Sequence, residues 1–376
     1  MRIAIIAETF LPTVNGVTRS IEQILRHLAE RGDEVLVIAP AEGGLERVSG
    51  RCGITVHRLP SVPLATYPSI RLAVGGVGRV RRILEEFAPD VVHLASPFEL
   101  GRRAVHAAAQ LGIPTVAVYQ TDVPGYLARY GAPALERWAW QRVTGIHRAA
   151  DLTLAPSTAA LEQLQTHGVP RVALWRRGVD TALFDRRRRD DCWRRSIAPD
   201  GARLIGYVGR LAAEKQVADL AALADIPGTR LVIIGDGPLR AGLGTALPTA
   251  HFTGHLTGRA LATAVASLDL FVHPGELETF CQTIQEAMAS GVPVVATARG
   301  GPLDLVDHSR TGWLYPPGDL ASLRGHVVDL VGDDAKRSAF GEAAAASVRG
   351  RTWPVLCAAL VAHYEAVVRD RSLSRR

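Results

Sequence analysis

Apolar residues in this chain come in short bursts separated by longer stretches in which they recur every three or four positions. The bursts Ile3–Ala7, Glu34–Ala39, Thr55–Leu59, Val91–Leu94, Thr115–Tyr119 and Leu152–Ala155 are too short for helices and predict buried strands. Between them, Ile21, Ile24, Leu25 and Leu28 share one helical face, as do Val80, Ile83, Leu84 and Phe87. Gly32 stops the first of these helices, and Ser157 caps one that follows the burst at 152–155. Strand, helix, strand in this order predicts the first half of a doubly wound α/β unit. The stretch from Pro63 to Leu72 carries two prolines and reads as a loop.

Residues 171–180 read as a strand followed by a linker, after which the rhythm resumes. Arg203–Val208, Arg230–Ile234, Ala250–Phe252, Leu268–Val272, Val292–Ala296 and Gly312–Tyr315 predict a second sheet, with no residue-level repeat of the first. At 376 residues the chain should form two domains, taken as 1–170 and 178–352, with 353–376 carrying a final amphipathic helix around Val355–Val368. Both are expected to be Rossmann-like. In such sheets ligands gather beyond the carboxyl ends of the strands, so candidate chemistry is sought there.

The densest candidate stretch is 273–291, which reads as strand end, turn and helix, with Phe280, Ile284, Ala287 and Met288 on one face and Gly291 as the stop. Glu278 falls in the turn and Glu286 inside the helix. The amides of Thr279, Phe280, Cys281 and Gln282 would then form a helix start with unpaired N–H groups, suited to an anionic or hydroxyl-rich ligand. Taken alone, the two glutamates read more readily as a dipole partner and a solvated side chain than as ligand contacts.

Gly209 to Lys215 follows the first strand of the second half. Its Arg210 and Lys215 together match a diphosphate, or are plain surface charge. Asp236 and Gly237 belong to a glycine turn after the next strand, and Thr253, Gly254 and His255 end the one after that. Gly300–Asp304 reads as a turn or as a helix entry with Pro302 in its first turn. In the first half, Gly16 follows Asn15 in what reads as a tight turn. Gln120 and Asp122 lie just past a strand; Asp122 suits a proton acceptor or a turn cap, whereas the amide of Gln120 can only hydrogen-bond.

Composition narrows the classes. Lys and Arg total 43 against 37 Asp and Glu, a net charge of +6 that suits anionic ligands or an anionic membrane surface but is too mild to imply nucleic acid. The run Arg186–Arg189, continuing into Trp193-Arg-Arg, reads as a solvated loop. Four cysteines (Cys52, Cys192, Cys281, Cys357) lie far apart and read as reduced thiols. A strand at the very start, with no leader before it and no membrane-length apolar run, predicts a cytoplasmic protein; peripheral contact with the inner face of the membrane stays open. There is no D-x-D and no His/Cys/Asp cluster with ligand spacing, so no metal is expected. P-loop and nucleophile-elbow motifs are absent as well.

The text Glu278-Thr-Phe-Cys-Gln, followed by Glu286-Ala-Met-Ala-Ser-Gly, resembles the E-x7-E signature of retaining glycosyltransferase family four. Gly209-Arg-Leu-Ala-Ala-Glu-Lys215 resembles the family's G-R-x-x-x-E-K motif, and the likeness covers essentially the whole chain. With Glu8-Thr-Phe-Leu-Pro-Thr-Val-Asn-Gly-Val and Val118-Tyr-Gln-Thr-Asp-Val-Pro-Gly-Tyr it leans towards actinobacterial GDP-mannose-dependent α-mannosyltransferases. The resemblance implies the GT-B fold: two Rossmann-like doubly wound domains facing across a cleft, with the segment after Trp353 crossing back over the first. It implies a metal-independent hexosyltransferase with a nucleotide-sugar donor, GDP-mannose, and a lipid-linked or small-molecule hydroxyl acceptor.

Residue by residue, the resemblance gives Arg210 and Lys215 to the leaving phosphates. It gives Glu278 and the amides after it to the sugar, Glu286 to the ribose, 251–255 to the base, and Gly16 to the donor phosphates. Cys281 stands where the wider family has Gly. Two other readings are kept: a UDP-sugar-dependent transferase (GlcNAc or glucose) of natural-product biosynthesis, and a non-catalytic nucleotide-sugar-binding module.

Overall fold

The computed structural model describes residues 1–41, 47–51, 53–64, 67–129 and 133–373. The chain divides into two compact units, one made of 1–128, 132–177 and 353–376, the other of 129–131 and 178–352.

The first unit carries strands β1 (Arg2–Ala7), β2 (Glu34–Pro40), β3 (Arg47–Arg51), β4 (Ile54–Leu59), β5 (Ser61–Leu64), β6 (Tyr67–Ala73), β7 (Val91–Ala95), β8 (Thr115–Val118), β9 (Leu152–Ala155) and β10 (Val172–Leu174). Eight of them form one sheet in the order β10-β9-β8-β7-β1-β2-β4-β3, parallel throughout except for the antiparallel edge strand β3. Side chains of β1 alternate between two cores: Ile3, Ile5 and Ala7 enter one, Ala4 and Ile6 the other. Pro63–Leu72 is no plain loop: β5 and β6 pair antiparallel, the prolines sitting in a two-stranded ribbon apart from the main sheet.

The helix Trp353–Leu373 belongs to this first unit. Its buried positions Trp353, Cys357, Leu360, Val361, Tyr364 and Val367 follow helical spacing and pack with Ile3, Ile5 and Ile21 in one core. The Tyr364 hydroxyl lies 2.7 Å from Nδ1 of the buried His93 on β7.

The second unit holds β11 (Arg203–Val208), β12 (Thr229–Ile234), β13 (His251–Gly254), β14 (Leu270–His273), β15 (Val294–Thr297) and β16 (Gly312–Tyr315), all parallel, in the order β13-β12-β11-β14-β15-β16. Its two cores lie on the two faces of this sheet.

The arginine run is only half solvated. Arg186 and Arg187 are exposed, but Arg189 and Arg194 reach the buried carboxylate of Asp269 at 3.1 and 2.7 Å. That carboxylate also accepts the Leu204 amide at 2.8 Å. Burial works against its charge, yet these partners hold its pKa below the ordinary value. Cys192 is exposed, Cys281 and Cys357 are buried, none of the three is in a disulfide, and Cys52 lies outside the described residues. Among the described residues no helix is long and apolar enough to cross a membrane.

Candidate functional site

Because β11 to β15 run parallel, the segments leaving their carboxyl ends share one edge of the second sheet. That edge brings together Gly209, Arg210 and Lys215 after β11, Asp236 and Gly237 after β12, Thr253, Gly254 and His255 at the end of β13, and 278–282 after β14. Backbone bonds stitch these loops: Gly209 N–H to the Ile234 carbonyl at 3.0 Å, Leu211 N–H to Asp236 at 2.9 Å, and Gly235 N–H to Gly254 at 2.9 Å.

At its centre, Lys215 Nζ lies 2.6 Å from Glu278 Oε1, and the same oxygen lies 3.0 Å from Nε2 of the buried His273. Burial disfavours the Glu278 charge, but Lys215 and His273 outweigh it and bring its pKa down to about 2. Burial likewise disfavours an imidazolium, yet the Cys281 sulfur and the Glu278 carboxylate hold the His273 pKa up at about 10. Glu278 is thus an ionised carboxylate at neutral pH.

A second bridge joins the same two segments. Gln216 Nε2 donates to Glu276 at 2.6 Å, and the Glu276 amide donates back to Gln216 Oε1 at 2.7 Å. On the far side the loop 278–280 is braced by two glycines. A Cβ on Gly300 would stand 2.6 Å from the Glu278 carbonyl oxygen, and one on Gly301 2.4 Å from that of Phe280. Gly300 also has φ +67°, and Gly301 N–H donates to the Glu278 carbonyl at 2.7 Å. The segment 300–304 is the helix entry of the two readings, with Pro302 opening the helix Pro302–Leu305.

The helix after the loop starts at Gln282, later than the residues expected to supply its free amides. Thr279, Phe280 and Cys281 precede it, and Cys281 takes a left-handed φ of +72° at the cap position. Gln282 spends its side-chain amide on the Gly178 carbonyl at 3.0 Å. The helix Gln282–Ala289 is buried on more than its apolar face: Gln285 and Glu286 are as enclosed as Ile284 and Met288, so Glu286 is not a solvated carboxylate. Arg210 is half exposed and 3.8 Å from Glu214, while His255 is exposed.

The sequence shows no ligand spacing, but the fold draws three possible donors together. His273, Glu278 and Cys281 each offer a donor atom within 4.8 Å of the others. Their spacing, five residues and then three, follows no standard ligand pattern and only the turn after β14 closes it. Lys215 Nζ already sits on the same carboxylate, so the cluster's first occupant is an ammonium.

In the first unit, the loops after β1, β7 and β8 share an edge because these strands are adjacent and parallel. Gly16 is not in a tight turn but is the first residue of the helix Gly16–Glu30, which Asn15 caps through Val17 and Thr18. Asp122 caps the next helix start, its Oδ1 accepting from Tyr119 OH and Gly125 N–H, each at 3.0 Å. Gln120 is buried, and its Oε1 accepts from Nη2 of Arg177, a buried arginine at the end of this segment. His273, Gln216, Glu276 and Arg177 were not singled out by the sequence; the hints were only that His273 ends a strand, Glu276 and Arg177 follow one closely, and Gln216 adjoins Lys215.

Residues 14–183 match Glycosyltransferase Family 4 and residues 190–347 match Glycosyl transferases group 1. A GDP-mannose-dependent alpha-mannosyltransferase of Mycolicibacterium smegmatis is 52% identical over 99% of this chain and 99% of its own. The chain belongs to glycosyltransferase family 4. Another protein of the same description, from Mycobacterium tuberculosis, is 50% identical over 98% of this chain and 97% of its own. Among solved structures, a sucrose-phosphate synthase from Thermosynechococcus elongatus superposes with a TM-score of 0.81, at 20% identity over 98% of this chain and 99% of that one. The Anabaena protein HepE, in complex with UDP and glucose, gives 0.77 at 19% identity over 97% and 99%. The family's GT-B fold is thus present in this glycosyltransferase.

Proposed function

We propose that this family 4 member is a retaining α-mannosyltransferase that takes mannose from GDP-mannose to a hydroxyl of a glycolipid. The observation that carries the chemistry is the Lys215–Glu278 pair, an ammonium and an ionised carboxylate 2.6 Å apart at the carboxyl edge of the second sheet. The choice of donor is supported by the two mycobacterial relatives.

Lys215 and Arg210 meet the departing diphosphate, whose charge grows as the glycosidic C–O bond breaks. Glu278 and the amides of 279–281 hold the sugar hydroxyls, Glu286 the ribose, and 253–255 the base. The acceptor oxygen attacks the anomeric carbon from the face the phosphate leaves, and a phosphate oxygen takes the acceptor's proton. Configuration is kept without a protein nucleophile, in keeping with a Glu278 already committed to Lys215 and His273. Asp122, bound into its own turn, shapes the loop that carries Gln120 rather than moving a proton.

Exposed Leu135 and Trp138 beside Arg137 offer a face for the membrane that holds a lipid acceptor. The deciding test is thermal-shift titration with GDP, UDP, GDP-mannose and UDP-glucose. A ligand that binds only the folded state raises its melting temperature. Stabilisation by the guanosine species alone supports the reading; preference for the uridine species replaces it with the UDP-sugar transferase.

A further inference from the structure

Three loops around the Lys215–Glu278 pair leave the adjacent strands β11, β14 and β15, and one side chain joins all three. Glu276 Oε1 accepts from Gln216 Nε2 at 2.6 Å, and its Oε2 accepts from Nη1 of the exposed Arg299 at 3.0 Å. Gln216 directly follows Lys215, and Glu276 lies two residues before Glu278. Arg299 precedes Gly300, which packs against the Glu278 carbonyl.

The bridge from Gln216 to Glu276 uses both ends of a carboxamide. One end donates to the Glu276 carboxylate, and the other accepts the Glu276 amide N–H at 2.7 Å. A carboxylate at position 216 has no donor for the first bond, and an ammonium has no acceptor for the second. Gln216 makes both from a left-handed backbone, φ +49° and ψ +34°, between the turns Ala213–Lys215 and Val217–Leu223. A residue other than glycine keeps that conformation where its surroundings impose it. The residue before Glu276 is packed as closely. A Cβ on Gly275 would stand 3.0 Å from His273 Nε2, 3.4 Å from Glu278 Oε1 and 3.5 Å from the Lys215 carbonyl. Movement of the backbone at 275–276 therefore runs directly into the charged groups.

We propose that Glu276 is a positioning residue that, with Gln216, holds the Lys215 ammonium and the Glu278 carboxylate at their working distance. It acts through that pair and takes no part in the bond changes. Its effect on rate rests on the transferase reading; its effect on the pair rests on geometry alone.

The full chain carrying Glu276→Ala, Glu276→Gln or Gln216→Gly tests this, with rates measured on the donor whose nucleotide stabilises the wild type. Glu276→Ala is expected to lower kcat by on the order of 10- to 100-fold, the cost of a small misplacement, with less change in donor KM. Glu276→Gln keeps an oxygen for Gln216 and loses only the charge facing exposed Arg299, so it recovers most of the rate. If it is as slow as Glu276→Ala, the bridge is overturned. Gln216→Gly cuts the bridge while relaxing the left-handed backbone, so its melting temperature stays near that of the wild type as kcat falls. Wild-type kcat in Gln216→Gly overturns the proposal even where Glu276→Ala does not fold. In a Lys215→Met background, Glu276→Ala should add little further loss, because both act on one contact; equal factors in the two backgrounds overturn it. The coupling between Lys215→Met and Glu278→Gln in urea unfolding gives a readout without turnover. It should shrink when Gln216→Gly is added, and an unchanged coupling overturns the proposal. A wild type that transfers no sugar removes the transferase reading and leaves that coupling to decide. Preference for uridine nucleotides corrects the donor alone.

Discussion

Lys215 and Glu278, 63 positions apart in sequence, meet through a 2.6 Å contact between Nζ and Oε1. Their side chains keep 19% and 11% exposure, so removing either leaves its partner poorly solvated. Lys215→Met and Glu278→Gln should each cost about 2–4 kcal/mol, toward the lower side of a fully buried pair. Turnover should fall by about 10²–10³-fold, as when one charge-stabilising group is lost. Urea unfolding and initial rates check both; wild-type rates in either variant would remove the pair from the chemistry.

The pH dependence of stability should show separable limbs. Burial brings the His93 pKa down from an ordinary 6.5 to about 3, so the unfolded chain binds the extra proton and stability falls as pH drops from 6.5 towards 3. Glu278, lowered from 4.5 to about 2, adds a loss only below pH 4.5. His273, raised to about 10, acts in the opposite sense: its contribution is complete below 6.5 and is lost as pH climbs to 10. Denaturant midpoints across pH should show a shallower limb between 6.5 and 4.5 in His93→Leu, the remainder belonging to groups such as His147, which burial lowers to about 4, and a shallower alkaline limb in His273→Asn. An unchanged profile in either variant refutes that assignment.

Asp269 tests which arginines matter. Its side chain is 5% exposed and serves Arg189, Arg194 and the Leu204 amide, so Asp269→Ala should cost about 3–5 kcal/mol. Arg187 is 84% exposed beside Asp185, and Arg187→Ala should leave stability close to that of the wild type. Equal losses in the two variants would contradict the assignment.

The donors of His273, Glu278 and Cys281 converge, yet an ammonium holds the carboxylate. Exhaustive dialysis against a chelator is therefore expected to leave turnover unchanged. A loss restored by zinc would give the cluster a metal.

The alternation of short apolar bursts with helical periodicity was enough to read the parallel strands of both sheets, because burial on two faces forces continuous apolar strands; the edge strand β3 carries no such burst. The segments that carry Arg210, Lys215 and Glu278 were legible for the same reason, each following such a burst. What escaped depends on contacts distant in sequence. Nothing in the text around Gln216 announces Glu276, 60 residues on, and nothing near Arg177 announces Gln120. Asn15-Gly16 has the composition of a turn, but Thr18 completes a capping box and makes it a helix start. The prolines at 63 and 68 argued against strands, yet a two-stranded ribbon has free edges that tolerate them.

The helix Trp353–Leu373 fills a core with Ile3, Ile5 and Ile21, residues from the opposite end of the polypeptide. During synthesis the second unit can therefore emerge and fold while the first still lacks one of its walls. Until those last turns leave the ribosome, the apolar face awaiting Leu360, Val361 and Tyr364 stays open to chaperones and to aggregation. A premature stop near residue 350 should thus spoil the domain made first rather than the one just finished.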